Sequence, residues 1–244
     1  NPWVESYIHE HMQEWWSPER IAGRLKRDYR FSITAKTIYK YISYHQNGKS
    51  LQEFLKYQGK PRHKRETSQW GDIIKNRVFL GQRPAVINNR LRYGDFEADT
   101  MGKPKRTSDT LAVLRERKSR FMLAKKVPQL KYAMDGYKTL LSGIPAHSVT
   151  FDNGVENVRH KELNLPTYFC HPYTSSEKGS VENGIGCIRQ FIPKKADLAE
   201  YSDQDIHAII ETINSMPMKC LDWLTPKEVF EEQFLYKSLP VAIH

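Results

Sequence analysis

The sequence predicts an α/β protein in which a mixed sheet flanked by helices follows a small helical domain. Three observations support this prediction. Three strand-like runs follow one another from residue 95, and helical and strand-like segments alternate after them. Two short helical patterns separated by a brief turn come earlier in the chain. The charge is also uneven, since residues 1–90 hold 17 Lys and Arg against 8 Asp and Glu, whereas residues 91–244 hold 21 against 20.

The chain of 244 residues is long enough for one sizeable core and a small accessory domain. No stretch approaches the ~20 apolar residues of a membrane span, so we expect no membrane association. Cys170, Cys187 and Cys220 are far apart and odd in number, which favours reduced thiols in the cytoplasm over a disulfide framework or a cysteine-rich zinc site. The chain begins without Met or a signal peptide, and we expect a fragment or a processed chain.

The first helical pattern begins at Ser17 and Pro18, a residue that caps free backbone N–H groups followed by one that fits the first helical position. Ile21 and Leu25 form its apolar stripe, and the arginines of this helix should stay outside. The second pattern runs from the N-cap Thr34 to residue 42, with its isoleucines and Tyr41 facing inward.

Two short helices with a basic second helix match the helix-turn-helix plan, although an ordinary helical hairpin with a solvated basic face fits the spacing equally well. A short amphipathic helix over residues 51–57 and a basic arm over residues 59–65 follow. The arm suits phosphate contacts, and it also suits a solvated tether. The candidate DNA-binding residues of this region are Arg20, Arg24, Lys36, Thr37, Lys40, Lys60, Arg62, Lys64 and Arg65.

The strands are predicted at residues 95–101, 110–116, 121–127, 148–151 and 167–170, with a hairpin turn at 117–120. Helices are predicted at 131–141, from about 180, and at 202–214 and 226–234. Three antiparallel strands followed by alternating helices and strands are the order of a ribonuclease-H-like core. The predicted domains are therefore a DNA-binding region at 1–65, a linker at 66–90 and the ribonuclease-H-like core at 91–244.

Three carboxylates stand in distinctive settings in this core. Asp99 and Asp152 each end a strand-like run, and Glu182 lies near the start of a helix. If the two strand ends and the helix face converge, three hard oxygen ligands suit a pair of Mg²⁺ or Mn²⁺ ions that act on a phosphodiester.

The helix that carries Glu182 should bury Val181, Ile185 and Ile188 against the sheet. Arg189 would then reach toward substrate phosphate, while Lys118 and Arg120, in the hairpin turn, either contact DNA or are merely solvated. Glu97 shares the strand face of Asp99 and is expected to form a salt bridge or support a ligand. The spacing of the histidines does not favour zinc.

Several motifs resemble the transposases of the insertion-sequence-thirty family. In the core they are residues 94–100 (GDFEADT), 116–121 (ERKSRF), 151–154 (FDNG) and 177–183 (EKGSVEN). Residues 189–198 (RQFIPKKADL) and 221–230 (LDWLTPKEVF) resemble the family's tail, and residues 16–23 (WSPERIAG) and 37–39 (TIY) its helix-turn-helix. The resemblance covers nearly the whole chain.

The resemblance implies an integrase-like catalytic core with an Asp-Asp-Glu triad, which falls on Asp99, Asp152 and Glu182, and two divalent metal ions. It also implies DNA as the partner, namely the terminal repeats and the target, assembly of a homo-oligomer on DNA, and a place in the bacterial cytoplasm near the nucleoid. Phe96 stands where the family has Trp, and residues 175–176 differ from its common Ser-Trp. The family also has a further N-terminal DNA-binding region, for which we expect no counterpart in these 244 residues.

The predicted activity is cleavage of element ends and joining of the 3′-OH to target DNA by two-metal-ion phosphoryl transfer. Two alternatives stay open. One is a catalytically silent DNA-binding protein or repressor derived from a transposase, and the other is a structure-selective nuclease of the same fold.

Overall fold

The computed structural model describes residues 1–55, 74–102, 109–171, 179–194 and 196–234. The chain divides into two compact units. The first contains Asn1–Arg65 and Asn214–Val229, and the second contains Glu66–Ile213 and Phe230–His244. The first unit differs from the predicted N-terminal region because it also includes Asn214–Val229, a segment that the sequence analysis assigned to the core.

The first unit begins with a helix that the sequence analysis did not identify, α1 (Pro2–Gln13). The two predicted helices follow as α2 (Pro18–Tyr29) and α3 (Ala35–Tyr44). Ser17 caps α2 by accepting the Arg20 N–H at 3.4 Å, and Thr34 caps α3 by accepting the Thr37 N–H at 3.1 Å. These caps fix where the two helices start.

The core of the first unit is made of aliphatic side chains at helical spacing. Ile21 and Leu25 of α2 and Ile38 and Ile42 of α3 are fully buried, as predicted. An amphipathic helix is predicted at 51–57; the structure has a 3₁₀ segment at Gln46–Phe54, and residues 56–57 lie outside the described residues. Within this segment, a Cβ on Gly48 would stand 2.3 Å from the Tyr41 carbonyl oxygen, so the close approach to α3 needs glycine.

The second unit is built on a five-stranded sheet of order β3-β2-β1-β4-β5. The strands are β1 (Asp95–Gly102), β2 (Thr110–Glu116), β3 (Met122–Val127), β4 (Ser148–Phe151) and β5 (Thr167–Phe169). β1, β2 and β3 pair antiparallel, whereas β4 pairs parallel with β1 and β5 pairs parallel with β4. This mixed sheet has the strand order of a ribonuclease-H-like fold, which confirms the predicted fold class.

Helices cover both faces of the sheet. The helices of this part of the chain are α4 (Ala85–Asn88), α5 (Ala133–Leu141), α6 (Gly179–Phe191), α7 (Asp203–Asn214) and α8 (Pro226–Phe234). One apolar cluster packs α5 against alternate residues of β1 and β2. A second cluster packs α6 and α7 against residues of the same strands that point to the opposite face. β2 is buried along its whole length because both of its faces are covered.

The short α4 was not predicted. Within the described part of the chain, no helix is both long and apolar enough to cross a membrane.

Candidate active site

The two candidate aspartates lie on neighbouring parallel strands. β1 and β4 pair with Asp95 opposite Ser148, Phe96 opposite Val149 and Glu97 opposite Thr150. Asp99 and Asp152 each come two residues after the last of these pairs, so a continued register would bring them to neighbouring positions. Both residues are half-buried. Two of the three predicted carboxylates therefore lie beyond the same end of the β1–β4 pairing, in the middle of the sheet.

A buried tyrosine lies close to this pair. Tyr137 of α5 is 1% exposed, and burial raises its pKa well above 10, with further contributions from the negative charges of Asp99, Glu156 and Asp152. One hydroxyl thus lies within electrostatic reach of both aspartates. Glu156 is an acid that the sequence analysis missed, and its position four residues after Asp152 was the signal that could have found it.

The loop after β4 holds Asp152 in a fixed orientation. Asp152 Oδ1 accepts the Gly154 N–H at 3.0 Å and a side-chain N–H of Asn157 at 2.9 Å. Asn153 ties the same loop to its surroundings, because its Oδ1 accepts from Arg77 at 2.6 Å and its amide donates to the Cys170 carbonyl at 2.8 Å. Asn157 is the residue that orients the carboxylate, a role that the sequence analysis did not assign to it.

The buried Glu97 connects β1 to the start of α6. Glu97 Oε2 accepts the Val181 N–H at 3.0 Å, and Oε1 pairs with Arg117. Glu97 and Arg117 are 1% and 4% exposed. Arg115 adds a second connection by donating to the Ser180 carbonyl at 2.6 Å. Glu97 therefore has the salt-bridge role that its strand position suggested.

Glu182 follows directly after these anchored residues. The buried face of α6 is the predicted one, with Val181, Ile185 and Ile188 all below 10% exposure. The Glu182 side chain is exposed. Among the residues that the structure describes, no group of three or more His, Cys, Asp or Glu side chains is close enough to hold a metal ion. The convergence of Glu182 with the two aspartates stays a prediction.

Arg24 requires a correction, because its side chain is bound within the first unit. It is 18% exposed and forms a two-pronged salt bridge to Glu228 at 2.8 and 2.9 Å, together with a salt bridge to Asp28. Arg20 also turns inward, where its guanidinium contacts the Met216 sulfur at 3.1 Å. The expectation that the arginines of α2 stay outside is therefore wrong for these two.

The cations of the hairpin turn and of α6 are also engaged within the fold. Lys118 donates to the Leu91 carbonyl at 2.9 Å and lies 4.2 Å from the centre of the Tyr93 ring. Arg120 donates to the Ser180 hydroxyl at 3.4 Å, and Arg189 to the Pro193 carbonyl at 3.3 Å. These contacts give the three residues a structural role that the sequence did not indicate.

The exposed face of α3 matches the prediction. Lys36, Thr37 and Lys40 are exposed on one helix, and Thr37 Oγ1 shares a 2.8 Å hydrogen bond with Thr34 Oγ1. Their contact with DNA stays a prediction. The basic-arm candidates lie outside the described residues; they are Lys60, Arg62, Lys64 and Arg65.

His160 illustrates a structural histidine. It is 3% exposed, and its ring nitrogens contact Thr167 Oγ1 at 2.7 Å and the Lys75 carbonyl at 3.4 Å. Burial lowers the pKa of His160 below 6.5.

No family model matches the sequence. The chain is 32% identical to the transposase for insertion sequence element IS4351 of Bacteroides fragilis, over 99% of this chain and 77% of that protein. It is 31% identical to the transposase for IS1086 of Cupriavidus metallidurans, over 92% of this chain and 71% of that protein. It is also 31% identical to transposase InsI of IS30A from Escherichia coli, over 93% of this chain and 64% of that protein.

Among solved structures, the catalytic core domain of BIV integrase gives a TM-score of 0.42 at 15% identity, over 57% of this chain and 95% of that one. The strand order, and not this weak likeness, identifies the fold. The identity to the transposases over most of both chains places the sequence among them, and the chain belongs to the IS30-type family of insertion-sequence transposases.

Proposed function

We propose that this protein cuts the ends of a DNA element and joins the freed 3′-OH to target DNA, with Asp99, Asp152 and Glu182 as its catalytic carboxylates. The parallel β1–β4 register, in which Asp99 and Asp152 each come two residues after the last pair, is the observation that supports the proposal. Two neighbouring carboxylates at a strand edge suit hard divalent cations such as Mg²⁺ or Mn²⁺.

The chain's own residues have distinct tasks in this proposal. Asp99 and Asp152 would be the first two ligands, and Asn157 orients Asp152 through the 2.9 Å hydrogen bond. Glu182 would complete the site, from a backbone position one residue after the anchored Val181. Two bound divalent ions would supply activation of the attacking oxygen and stabilisation of the leaving oxygen.

DNA is the partner in this proposal. Lys36, Thr37 and Lys40 on the exposed face of α3 would contact a major groove, as the second helix of a helix-turn-helix does. The protein would act as a homo-oligomer on the element's ends and target, on bacterial nucleoid DNA.

A cleavage and joining assay tests the proposal. The substrates are duplexes that carry the ends of the element, either intact or already cut to expose a 3′-OH, with and without Mg²⁺. We expect metal-dependent cleavage and joining by the unmodified protein, and background levels for Asp99→Asn, Asp152→Asn and Glu182→Gln, with DNA binding retained.

Three results would contradict the proposal in different ways. Binding without cleavage by the unmodified protein indicates a silent repressor. Cleavage without joining of the pre-cut ends indicates a nuclease. Full activity of Asp152→Asn removes the carboxylate assignment.

A further inference from the structure

The segment Asn214–Val229, here called the closing segment, is part of the first unit although it lies near the other end of the sequence. Its fold is a tight turn in which the Trp223 N–H donates to the Met218 carbonyl and the Met218 N–H to the Leu224 carbonyl, both at 3.0 Å. Asp222 and Trp223 have φ of 52° and 63°, in the left-handed region that non-glycine residues rarely adopt. Such backbone persists only where the surrounding contacts hold it.

The Trp223 ring is one of those contacts. It covers α2 at Gly23, where an added Cβ would stand 2.2 Å from two ring carbons. Only glycine allows the ring to approach this closely. Glycine in the middle of a helix such as α2 is destabilising. The close packing of the Trp223 ring explains why glycine stands at position 23.

A second contact joins Arg24 to the closing segment through most of its guanidinium. Nη1 and Nη2 donate to the two oxygens of Glu228 at 2.9 and 2.8 Å, and Nη1 also donates to the Trp223 carbonyl at 3.2 Å. Asp28 accepts from Nε. The Arg24 hydrogen bond is the main reason that the pKa of Glu228 falls from 4.5 to about 2.

Glu228 is itself fixed by a capping box. The Thr225 N–H donates to Glu228 Oε2 at 2.6 Å, and the Glu228 N–H donates to Thr225 Oγ1 at 3.0 Å. One glutamate therefore starts α8 and holds α2 at the same time. The motif at residues 221–230, which the proposed chemistry does not use, contains Asp222, Trp223, Thr225 and Glu228.

We propose that the closing segment is a component of the DNA-binding unit, and that Arg24 and Glu228 are a positioning pair that holds α2, and through it the exposed face of α3. The route to α3 is short, because Ile21 and Leu25 are buried in the same unit as Ile38, and Tyr39 of α3 donates to Glu19 of α2 at 3.4 Å. The inference rests on the proposed function, in which α3 binds DNA. In this inference Arg24 positions α2 and does not contact the DNA phosphates.

A DNA-contacting Arg24 and a positioning Arg24 predict opposite effects on DNA binding when Glu228 is replaced. If Arg24 contacts DNA, removal of the neighbouring negative charge leaves binding unchanged or strengthens it. If Arg24 positions α2, the same change weakens binding, because the partner of the arginine is lost. The salt dependence separates them further, since the loss of one phosphate contact lowers the salt slope by about 1.

The experiment measures binding of the full chain to a mixed-sequence DNA duplex over a range of salt concentrations. We expect Glu228→Gln and Arg24→Met each to bind about tenfold more weakly, as for loss of a charge-assisted hydrogen bond, with an unchanged salt slope. The double variant should be no weaker than either single one. Lys26→Ala, which removes an exposed cation from the same helix, is the matched control for charge alone.

Two results together would overturn the inference. They are unchanged binding by Glu228→Gln and a reduced salt slope for Arg24→Met. If the unmodified protein does not bind the duplex, the proposed function fails instead, and the positioning pair is then tested by unfolding. Four of the five tryptophans lie in the first unit, namely Trp3, Trp15, Trp16 and Trp223, so tryptophan fluorescence reports mainly its unfolding. We expect both single variants to lower this midpoint and the double variant to lower it no further; equal midpoints in all variants would refute the pair.

Discussion

Replacement of Glu97 by Ala should destabilise the second unit far more than replacement of the nearby Asp99. Glu97 is 1% exposed and holds two partners, the Arg117 guanidinium and the Val181 N–H. Removal of one member of a buried ion pair costs about 3–5 kcal/mol, because the other charge stays buried without compensation. Among the described residues, the side-chain contacts that Arg117 keeps are long ones to the carbonyls of Ile87 and Asn88, at 3.4 and 3.5 Å, which do not replace a carboxylate.

Asp99→Asn is the matched control on the same strand face. Asp99 is half-buried, and the amide reduces the repulsion that Asp99 and Asp152 experience as neighbours. We therefore expect its stability to be unchanged or slightly higher, within about 0.5 kcal/mol, while cleavage is lost. The contrast is a stable, inactive variant beside a destabilised one.

Chemical denaturation followed by circular dichroism measures both variants, and the transition of the second unit is the one to compare. The double replacement Glu97→Met with Arg117→Met should recover much of the lost stability, because no charge is then left buried alone. A Glu97→Ala variant within about 1 kcal/mol of the unmodified protein would refute the reasoning, since it would mean that Arg117 finds water or another partner.

Three further predictions concern other parts of the molecule. Asn157→Ala should raise the Mg²⁺ concentration for half-maximal cleavage by about tenfold, because Asp152 loses the amide that orients it; an unchanged metal titration would contradict this. Gly23→Ala should lower the fluorescence midpoint of the first unit although alanine favours a helix by about 1 kcal/mol, since the methyl group would displace the Trp223 ring, and a higher midpoint would count against that packing. Burial lowers the pKa of His160, so the stability that this residue contributes is fully present above pH 6.5 and is lost as the pH falls through its folded-state pKa. His160→Gln should therefore make the free energy of unfolding less dependent on pH in this range. An unchanged pH dependence would mean that His160 is not responsible for it.

The fold was predictable to the extent that local pattern decides it. The bounds of β2 and β4 agree with the sequence prediction, because their buried runs end at turn residues. The caps Ser17 and Thr34 gave the starts of α2 and α3 for the same local reason. α1 was missed, since its Val4, Ile8 and Met12 stripe stands among polar and aromatic residues that weaken the pattern.

The partners of charged side chains were less predictable, because they depend on contacts between residues far apart in sequence. The sequence predicts Arg24 as a DNA contact from its place on the polar side of α2, whereas its partner Glu228 lies 204 positions away. Glu97 shares a strand face with Asp99, yet it pairs with Arg117. Asn157 follows Asp152 closely, but only the folded loop shows that its amide donates to that carboxylate.

A crystal structure with Mn²⁺, located by its anomalous scattering, tests the catalytic assignment most directly. The proposed site predicts Mn²⁺ between the carboxylates of Asp99 and Asp152, with oxygen ligands and with Glu182 turned in to complete the coordination. The same experiment on Asp152→Asn should show the site weakened or lost. Mn²⁺ bound elsewhere in the unmodified protein, with no density beside Asp99 and Asp152, would contradict the assignment.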